Sequence, residues 1–293
     1  MKKHLLACVI ILLSIAATSP AIAAPAQVCF DKQAHRGGRA VMPENTVAAM
    51  KHALDLGMTL EMDLSYTKDG QVIVSHDNFI SSVFALGPNG EPIAKEEEKS
   101  LRLYNLTYEE IKKYDVGMKP HPLFPEQKNM PASIPLFVDM LDSIEMYAKA
   151  KNLPAPHYNI EAKLAVPVNT NTDNFREDFI QKIVQVIKAK KIDKRMMLQS
   201  FDVKMLEILH RNYPEIKVSY LVGKSDLETS LAKLSFTPDI YSPHYLLVNK
   251  EMVEKCHSLN MKVIPWTVNT KAEVDQLKSL GVDGVISDYL NVY

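Results

Sequence analysis

From residue 30 onward the chain repeats one pattern: a short apolar run, a few turn-forming residues, then a longer stretch whose apolar positions recur every three to four residues. Short continuous apolar runs bounded by turn signals read as buried strands, and the longer periodic stretches read as helices with one buried face. Strands are therefore expected at 32–36, 58–63, 158–163, 195–200, 216–222, 239–243, 262–267 and 283–287. Strands that alternate with helices build a parallel sheet. Eight of them in about 260 residues suit an α/β fold of the (β/α)8 TIM-barrel type better than an open sheet. The helix ends are also legible. Thr46 is placed to cap a helix that closes at Gly57, and Thr270-x-x-Glu273 reads as a capping box on a helix that stops before Gly281.

Two stretches interrupt the rhythm. "EMDLSYTKDGQVIVSHD" (61–77) leaves no room for a helix between its apolar halves, and Asp69-Gly70 is a hairpin signal. A two-residue turn sets His76 opposite Asp63, and a three-residue loop with a bulge moves this by one position, so His76 stays near the carboxylates either way. The hairpin is expected above the barrel rim rather than in the ring. Residues 78 to 135, with scattered prolines, the charge run "KEEEK" and one helical piece, "LTYEEIKKY", are too long for a simple loop. They read as an inserted cap over the C-terminal face, with the charge run as solvated surface.

Composition adds little to that picture except at the N-terminus. The 293-residue chain is 46% hydrophobic and 24% charged, an ordinary globular profile, with a net charge of −1 that gives no reason to expect a nucleic-acid partner. Lys2 and Lys3 precede an apolar run from Leu5 to Ala17 and an Ala21-x-Ala23 pattern, which is the layout of a secretory signal peptide (residues 1–23). An uncleaved membrane anchor fits less well, because the run is shorter than the ~20 apolar residues a spanning helix needs. Cleavage after Ala23 leaves 32 Lys and Arg against 35 Asp and Glu, a net charge of −3, and no transmembrane segment in the mature chain, 24–293. A periplasmic or secreted location follows. Cys29 and Cys256 would then share a compartment that permits disulfides, but their distance in sequence leaves pairing open.

The candidate chemistry sits at strand ends. Residues two apart in a strand share a face, so Glu61 and Asp63 point the same way and call for a cation. In "HYNIEAKL" the residues Asn159, Glu161 and Lys163 share a face, and Glu161 completes a site of three carboxylates, although Glu161 with Lys163 reads equally as a salt bridge. Oxygen ligands without cysteine or a tight histidine cluster favour Ca²⁺ or Mg²⁺ over Zn²⁺. His35 and His76 close the first strand and the hairpin. Alone, either reads as a scaffold residue; together beside a carboxylate-bound metal, they read as a proton acceptor and a proton donor. Arg36 offers a planar fork suited to phosphate, Lys163 a second cation, and Gly37 and Gly38 a close backbone approach. The set reads as phosphate-ester chemistry.

The ordered blocks "AHRGG", "PENT", "EMDLSYTKDG", "SHD", "NIEAK", "LQSFD", "SPHYLLVNKEMV", "IPWTVNT" and "GVDGVISD" resemble the signature of the glycerophosphodiester phosphodiesterases, from about residue 33 to 288. The leader and the insertion resemble the longer, periplasmic members. The resemblance implies metal-dependent hydrolysis of small glycerophosphodiesters, such as glycerophosphocholine or glycerophosphoethanolamine, to glycerol 3-phosphate and an alcohol. It implies His35 and His76 as the acid/base pair and Glu61, Asp63 and Glu161 as metal ligands. It further implies Arg36 and Lys163 as phosphate contacts, Trp266 as an aromatic wall beside the glycerol, and Glu44 as a partner behind the histidines or the metal. Two of these have plainer readings: Glu44 as helix-start electrostatics, and Trp266 as core. Gln199 and Ser200 either line the pocket or merely end a strand. One departure stands out: Ser75 occupies a position where the family often has a second histidine, so His76 is the sole candidate there. A lysophospholipase D specificity on the same scaffold, or a binding protein without turnover, are the rival readings. A serine hydrolase is not, for no G-x-S-x-G occurs.

Overall fold

The computed structural model describes residues 30–163 and 172–293. The leader and Cys29 lie outside these, so the expected signal peptide and the pairing of Cys29 with the buried Cys256 fall outside the described residues. Among the described residues nine strands form one sheet: β1 (Asp31–Ala34), β2 (Thr59–Tyr66), β3 (Val72–Val74), β4 (Tyr158–Ala162), β5 (Met196–Ser200), β6 (Val218–Val222), β7 (Ile240–Pro243), β8 (Lys262–Val263) and β9 (Gly284–Ser287). Eight of them run parallel in the order β8-β7-β6-β5-β4-β2-β1-β9. The ends of that row meet: Asp283 N–H donates to Val263 O (2.9 Å), Ile286 to Pro265 O (3.0 Å) and Val268 to Ile286 O (2.9 Å). The sheet thus rolls into the expected (β/α)8 barrel, nearly closed by its ladders and bridged at the last seam by these bonds.

Helices α1 (Val47–Asp55), α3 (Phe137–Ala150), α4 (Thr172–Lys190), α5 (Val203–Asn212), α6 (Leu227–Leu231), α7 (Lys250–Ser258) and α8 (Lys271–Leu280) connect the strands, and α2 (Tyr108–Ile111) lies in the long stretch after β3. Their starts follow the local chemistry. Thr46 Oγ1 accepts from Ala49 N, and Thr270 and Glu273 form the expected reciprocal capping box. Inward faces such as Phe137, Met140, Leu141 and Ile144 of α3 pack on fully buried strand residues such as Leu60, Met62 and Ile160. Each such side chain contributes about 1.5–3 kcal/mol relative to exposure. Among the described residues no helix is long and apolar enough to cross a membrane.

The hairpin takes the three-residue form. Thr67 N donates to Gln71 O and Leu64 pairs with Val74, which sets Ser75, not His76, across from Asp63. As expected β3 pairs with β2 outside the ring, yet it is not a free rim: Val72, Ile73 and Val74 are buried, Ile73 bridges to Leu136, and Val74 N donates to Pro135 O. Residues 78–135 gather a small core of their own, Ile80, Ala85, Ile93, Leu103, Ile111 and Val116, against Ile73. The charge run departs from its expected place in solvent at one position. Glu98 is buried, because its carboxylate accepts from both the backbone N–H and the hydroxyl of Ser82 (2.8 and 2.7 Å) and pairs with Lys95.

Candidate active site

Every barrel strand delivers its last residues to one face, where the candidate side chains meet, as in other barrels of this type. The parallel register of β2 on β4 pairs Asp63 with Glu161 and Glu61 with Asn159. Two carboxylates expected to share a face on one strand therefore gain a third from the next. Glu61, Asp63 and Glu161 each offer an oxygen within 4.8 Å of the others, and all three are buried.

Such a cluster is costly without a cation. Burial raises Glu61 well above the usual carboxylate range, and the charge of Asp63 adds to it. Burial also pushes Glu161 up to about 8, against the pull of Lys163 and with the push of Asp63. Asp63 goes the other way: burial opposes ionisation, but Arg36 and Lys163 outweigh it and hold the carboxyl below its ordinary range. Among the described residues its Oδ1 is buried with no hydrogen-bond partner, whereas its Oδ2 accepts from Asn45 Nδ2 (2.8 Å) and faces Arg36 Nε (3.2 Å). An orphaned oxygen beside two carboxylates is what a hard, oxygen-preferring divalent cation satisfies. The residues fit such an ion.

The "HRGG" segment bends sharply after β1. Arg36 takes a left-handed conformation (φ 53°, ψ 32°), uncommon for a residue with a side chain. The bend aims the Arg36 N–H at Glu61 Oε2 (2.7 Å) and its guanidinium at Glu44 Oε1 (2.9 Å). Glu44 thus sits behind Arg36, with Arg39 Nη1 3.7 Å from its other oxygen. Among the described residues it makes no hydrogen bond to either histidine. Lys163 Nζ lies 3.5 Å from Glu161 and 3.9 Å from Asp63.

A cavity of about 190 Å³ opens on this cluster, lined by His35, Arg36, Glu61, His76, Glu161 and Lys163. The opposite wall is apolar, with Phe201, Leu221 and Trp266. Trp266 lines this pocket and also packs on the core residues Ile240, Ile264 and Ile286, its indole N–H fixed on Ser242 O (2.9 Å) and its ring edge-on to Phe201. Gln199 lines the pocket and donates to Glu61 Oε1 (3.0 Å), while Ser200 is spent on Ala162 O (2.7 Å). His35 Nδ1 meets Asp288 Oδ1 at 2.5 Å, and His76 Nδ1 meets Asp77 Oδ1 at 2.9 Å. Burial, helped by the charge of Arg36, lowers the His35 pKa despite Asp288, which favours the neutral ring near neutral pH.

Residues 35–292 match the Glycerophosphoryl diester phosphodiesterase family. The chain belongs to that family. It is an enzyme of that class, a phosphoric diester hydrolase. The glycerophosphodiester phosphodiesterase of Caldanaerobacter subterraneus subsp. tengcongensis is 29% identical over 87% of this chain and 92% of its own. A solved structure described as a putative glycerophosphoryl diester phosphodiesterase from Silicibacter pomeroyi superposes with a TM-score of 0.81 at 26% identity, over 90% of this chain and 91% of the other. An Oleispira antarctica phosphodiesterase, solved in complex with the product sn-glycerol-3-phosphate, shares the fold at a TM-score of 0.67 and 23% identity, over 88% of this chain and 93% of the other.

Three residues around this site are not picked out by the sequence. Asn45 holds both the backbone N–H and a carboxylate oxygen of Asp63 (3.2 and 2.8 Å). Arg39 and Asp288 form an ion pair at 2.7 Å. Asp288 carried a usable signal, as an acid immediately beyond the last barrel strand. The other two did not, since their partners lie on distant strands or loops.

Proposed function

We propose that this enzyme hydrolyses small glycerophosphodiesters, glycerophosphocholine or glycerophosphoethanolamine, to glycerol 3-phosphate and the free alcohol. The observation that carries the proposal is the single cavity in which both histidines, Arg36 and Lys163 face the carboxylate cluster. Glu61, Asp63 and Glu161 would hold a divalent cation, Ca²⁺ or Mg²⁺. When bound, that ion supplies positive charge to a non-bridging phosphate oxygen.

The protein groups act as follows. Lys163 and the guanidinium donors of Arg36 left free by Glu44 and Asp63 offset the charge that grows on the phosphoryl oxygens. His35, neutral and with Nδ1 turned to Asp288, presents Nε2 as proton acceptor to the attacking hydroxyl. His76 delivers a proton to the departing alkoxide as the P–O bond to the alcohol breaks; if water attacks, glycerol 3-phosphate forms directly, and if the glycerol 2-hydroxyl attacks, a cyclic phosphate forms that water then opens with the two histidines exchanging roles. Trp266 and Phe201 wall the side where carbon, not charge, is presented. The reading also places the mature chain, with its insertion at about 78–135, in the periplasm or outside the cell after cleavage near Ala23. N-terminal sequencing of the processed protein tests that location.

The activity is tested by release of glycerol 3-phosphate from glycerophosphocholine, first with chelator and then with Ca²⁺ or Mg²⁺ restored. Loss and rescue are expected. His35→Ala and His76→Ala should each lower kcat by about 10²–10⁴-fold. Release only from a lysophospholipid would transfer the reading to a lysophospholipase D, and release from neither would end it.

A further inference from the structure

We propose that Asp288 is the positioning residue of His35, and that Arg39, seated by the 121–128 segment of the insertion, holds Asp288 in place. The inference rests on the reading of His35 as a proton-transfer group. Its basis is how fully the Asp288 carboxylate is engaged. Oδ1 meets His35 Nδ1 at 2.5 Å and Arg39 Nε at 2.7 Å. Oδ2 accepts from Asn269 Nδ2 at 2.8 Å and from Arg39 Nη2 at 3.4 Å. The backbone of the same residue is fixed too, its N–H donating to Asn269 Oδ1 (3.0 Å). With 2% of its surface exposed, Asp288 has no room to turn.

An ionised carboxylate only accepts, so the hydrogen between it and the imidazole belongs to His35 Nδ1. That fixes the tautomer: Nε2 carries the free lone pair. A different partner at this place would let the ring adopt the other tautomer, with Nε2 protonated and useless as a base.

Arg39 ties this dyad to chain outside the barrel. Its guanidinium carbon stands 5.0 Å from the Phe124 ring centroid. Gln127 Nε2 donates to Arg39 O (2.6 Å), and Lys128 N to Val41 O (3.0 Å). His121 and Tyr289 both pack against Phe124. The contacts form one series, Phe124 to Arg39 to Asp288 to His35, through which the insertion acts on the histidine.

The test compares Asp288→Asn, Asp288→Glu, Arg39→Lys and Phe124→Ala with His35→Ala, reading kcat and KM separately and the His35 tautomer by ¹⁵N NMR. Asp288→Asn should lower kcat by at least tenfold, up to the about 10²–10⁴ that the histidine itself is worth, with little change in KM. His35 should pass from a single Nδ1–H tautomer to a mixture. Asp288→Glu should restore part of kcat. Arg39→Lys and Phe124→Ala should give smaller losses, again in kcat. If His35→Ala is inactive while Asp288→Asn keeps both kcat and tautomer, the positioning role fails and the functional reading stands. If His35→Ala stays active, the functional reading itself fails. Stability loss in Asp288→Asn with an unchanged tautomer makes Asp288 a loop anchor and overturns the proposal. Should Asp288→Asn not fold, an unchanged kcat in both Arg39→Lys and Phe124→Ala overturns it equally.

Discussion

Replacing Gly37 by alanine puts a methyl group where α1 already packs. The added Cβ would lie 2.7 Å from Ala49 Cβ, 2.9 Å from Ala49 C and 3.0 Å from Met50 N, at a backbone φ of +80°. Ala49 and Met50 are fully buried in the first turn of α1, so relief requires moving the helix or the loop. The left-handed backbone costs a side-chain-bearing residue about 1–2 kcal/mol, and overpacking typically adds about 1–3 kcal/mol. Lower entropy of the unfolded chain returns ~0.4–1 kcal/mol. The expected net loss is about 2–4 kcal/mol. Gly90→Ala is the matched control, because its φ is +84° and no heavy atom lies within 4 Å of the new Cβ. It should lose only about 1 kcal/mol, the backbone part alone. Urea unfolding of the chelated protein, followed by circular dichroism, measures both. Activity separates them further: the shift that relieves Gly37→Ala draws Arg36 N–H away from Glu61, where it now sits at 2.7 Å, and kcat should fall. Gly90→Ala should keep wild-type kcat. Equal stability losses in the two variants would refute the tight seating of the "HRGG" loop on α1.

Three further outcomes follow from the charges of the site. Glu61 and Glu161 are both raised by burial, Glu161 to about 8, and must lose their protons before they ligate a cation, so Ca²⁺ or Mg²⁺ affinity measured calorimetrically should weaken at least about tenfold per pH unit below 8; an affinity independent of pH contradicts the assignment of the ligands. Glu44→Leu removes the 2.9 Å partner of the buried Arg36 but leaves Asp63 at 3.2 Å, so it should cost less than the about 3–5 kcal/mol of a wholly unpaired buried charge. Adding Arg36→Met should recover part of that loss, and strict additivity in a double-mutant cycle would deny the pair. Burial opposes ionisation of Asp288, but His35 and Arg39 outweigh it and hold its pKa below the ordinary value. A carboxylate depressed in the fold stabilises above its unfolded pKa of about 4 and loses that contribution as the pH falls. The stability gap between wild type and Asp288→Asn should therefore be wide at pH 7 and shrink below pH 4, and a gap that widens on acidification is the contrary result.

What could be read from the sequence is what local order encodes. All eight barrel strands fall where the apolar runs lie, and Thr46, Thr270 and Glu273 cap helices where expected. Glu61 and Asp63 share a face because alternate residues of any strand do. The turn at Asp69-Gly70 was legible too, but its exact loop length was not. One hydrogen bond, Thr67 N–H to Gln71 O, decides between two registers that the residues allow almost equally.

The chain by itself therefore determined the element types, the barrel class, the family motifs and the polar residues that gather at the candidate site. Tertiary structure alone decided what those residues do to one another. Closing the barrel sets Glu161 beside Asp63 across nearly a hundred residues and brings Asp288 onto His35 across more than two hundred and fifty. It also placed Glu44 behind Arg36, buried Glu98 on Ser82 and laid Phe124 over Arg39. The physical reason is range. Hydrophobic period and turn chemistry act within a few residues and leave their mark in local sequence, whereas ion pairing and desolvation depend on which distant groups the closed sheet makes neighbours.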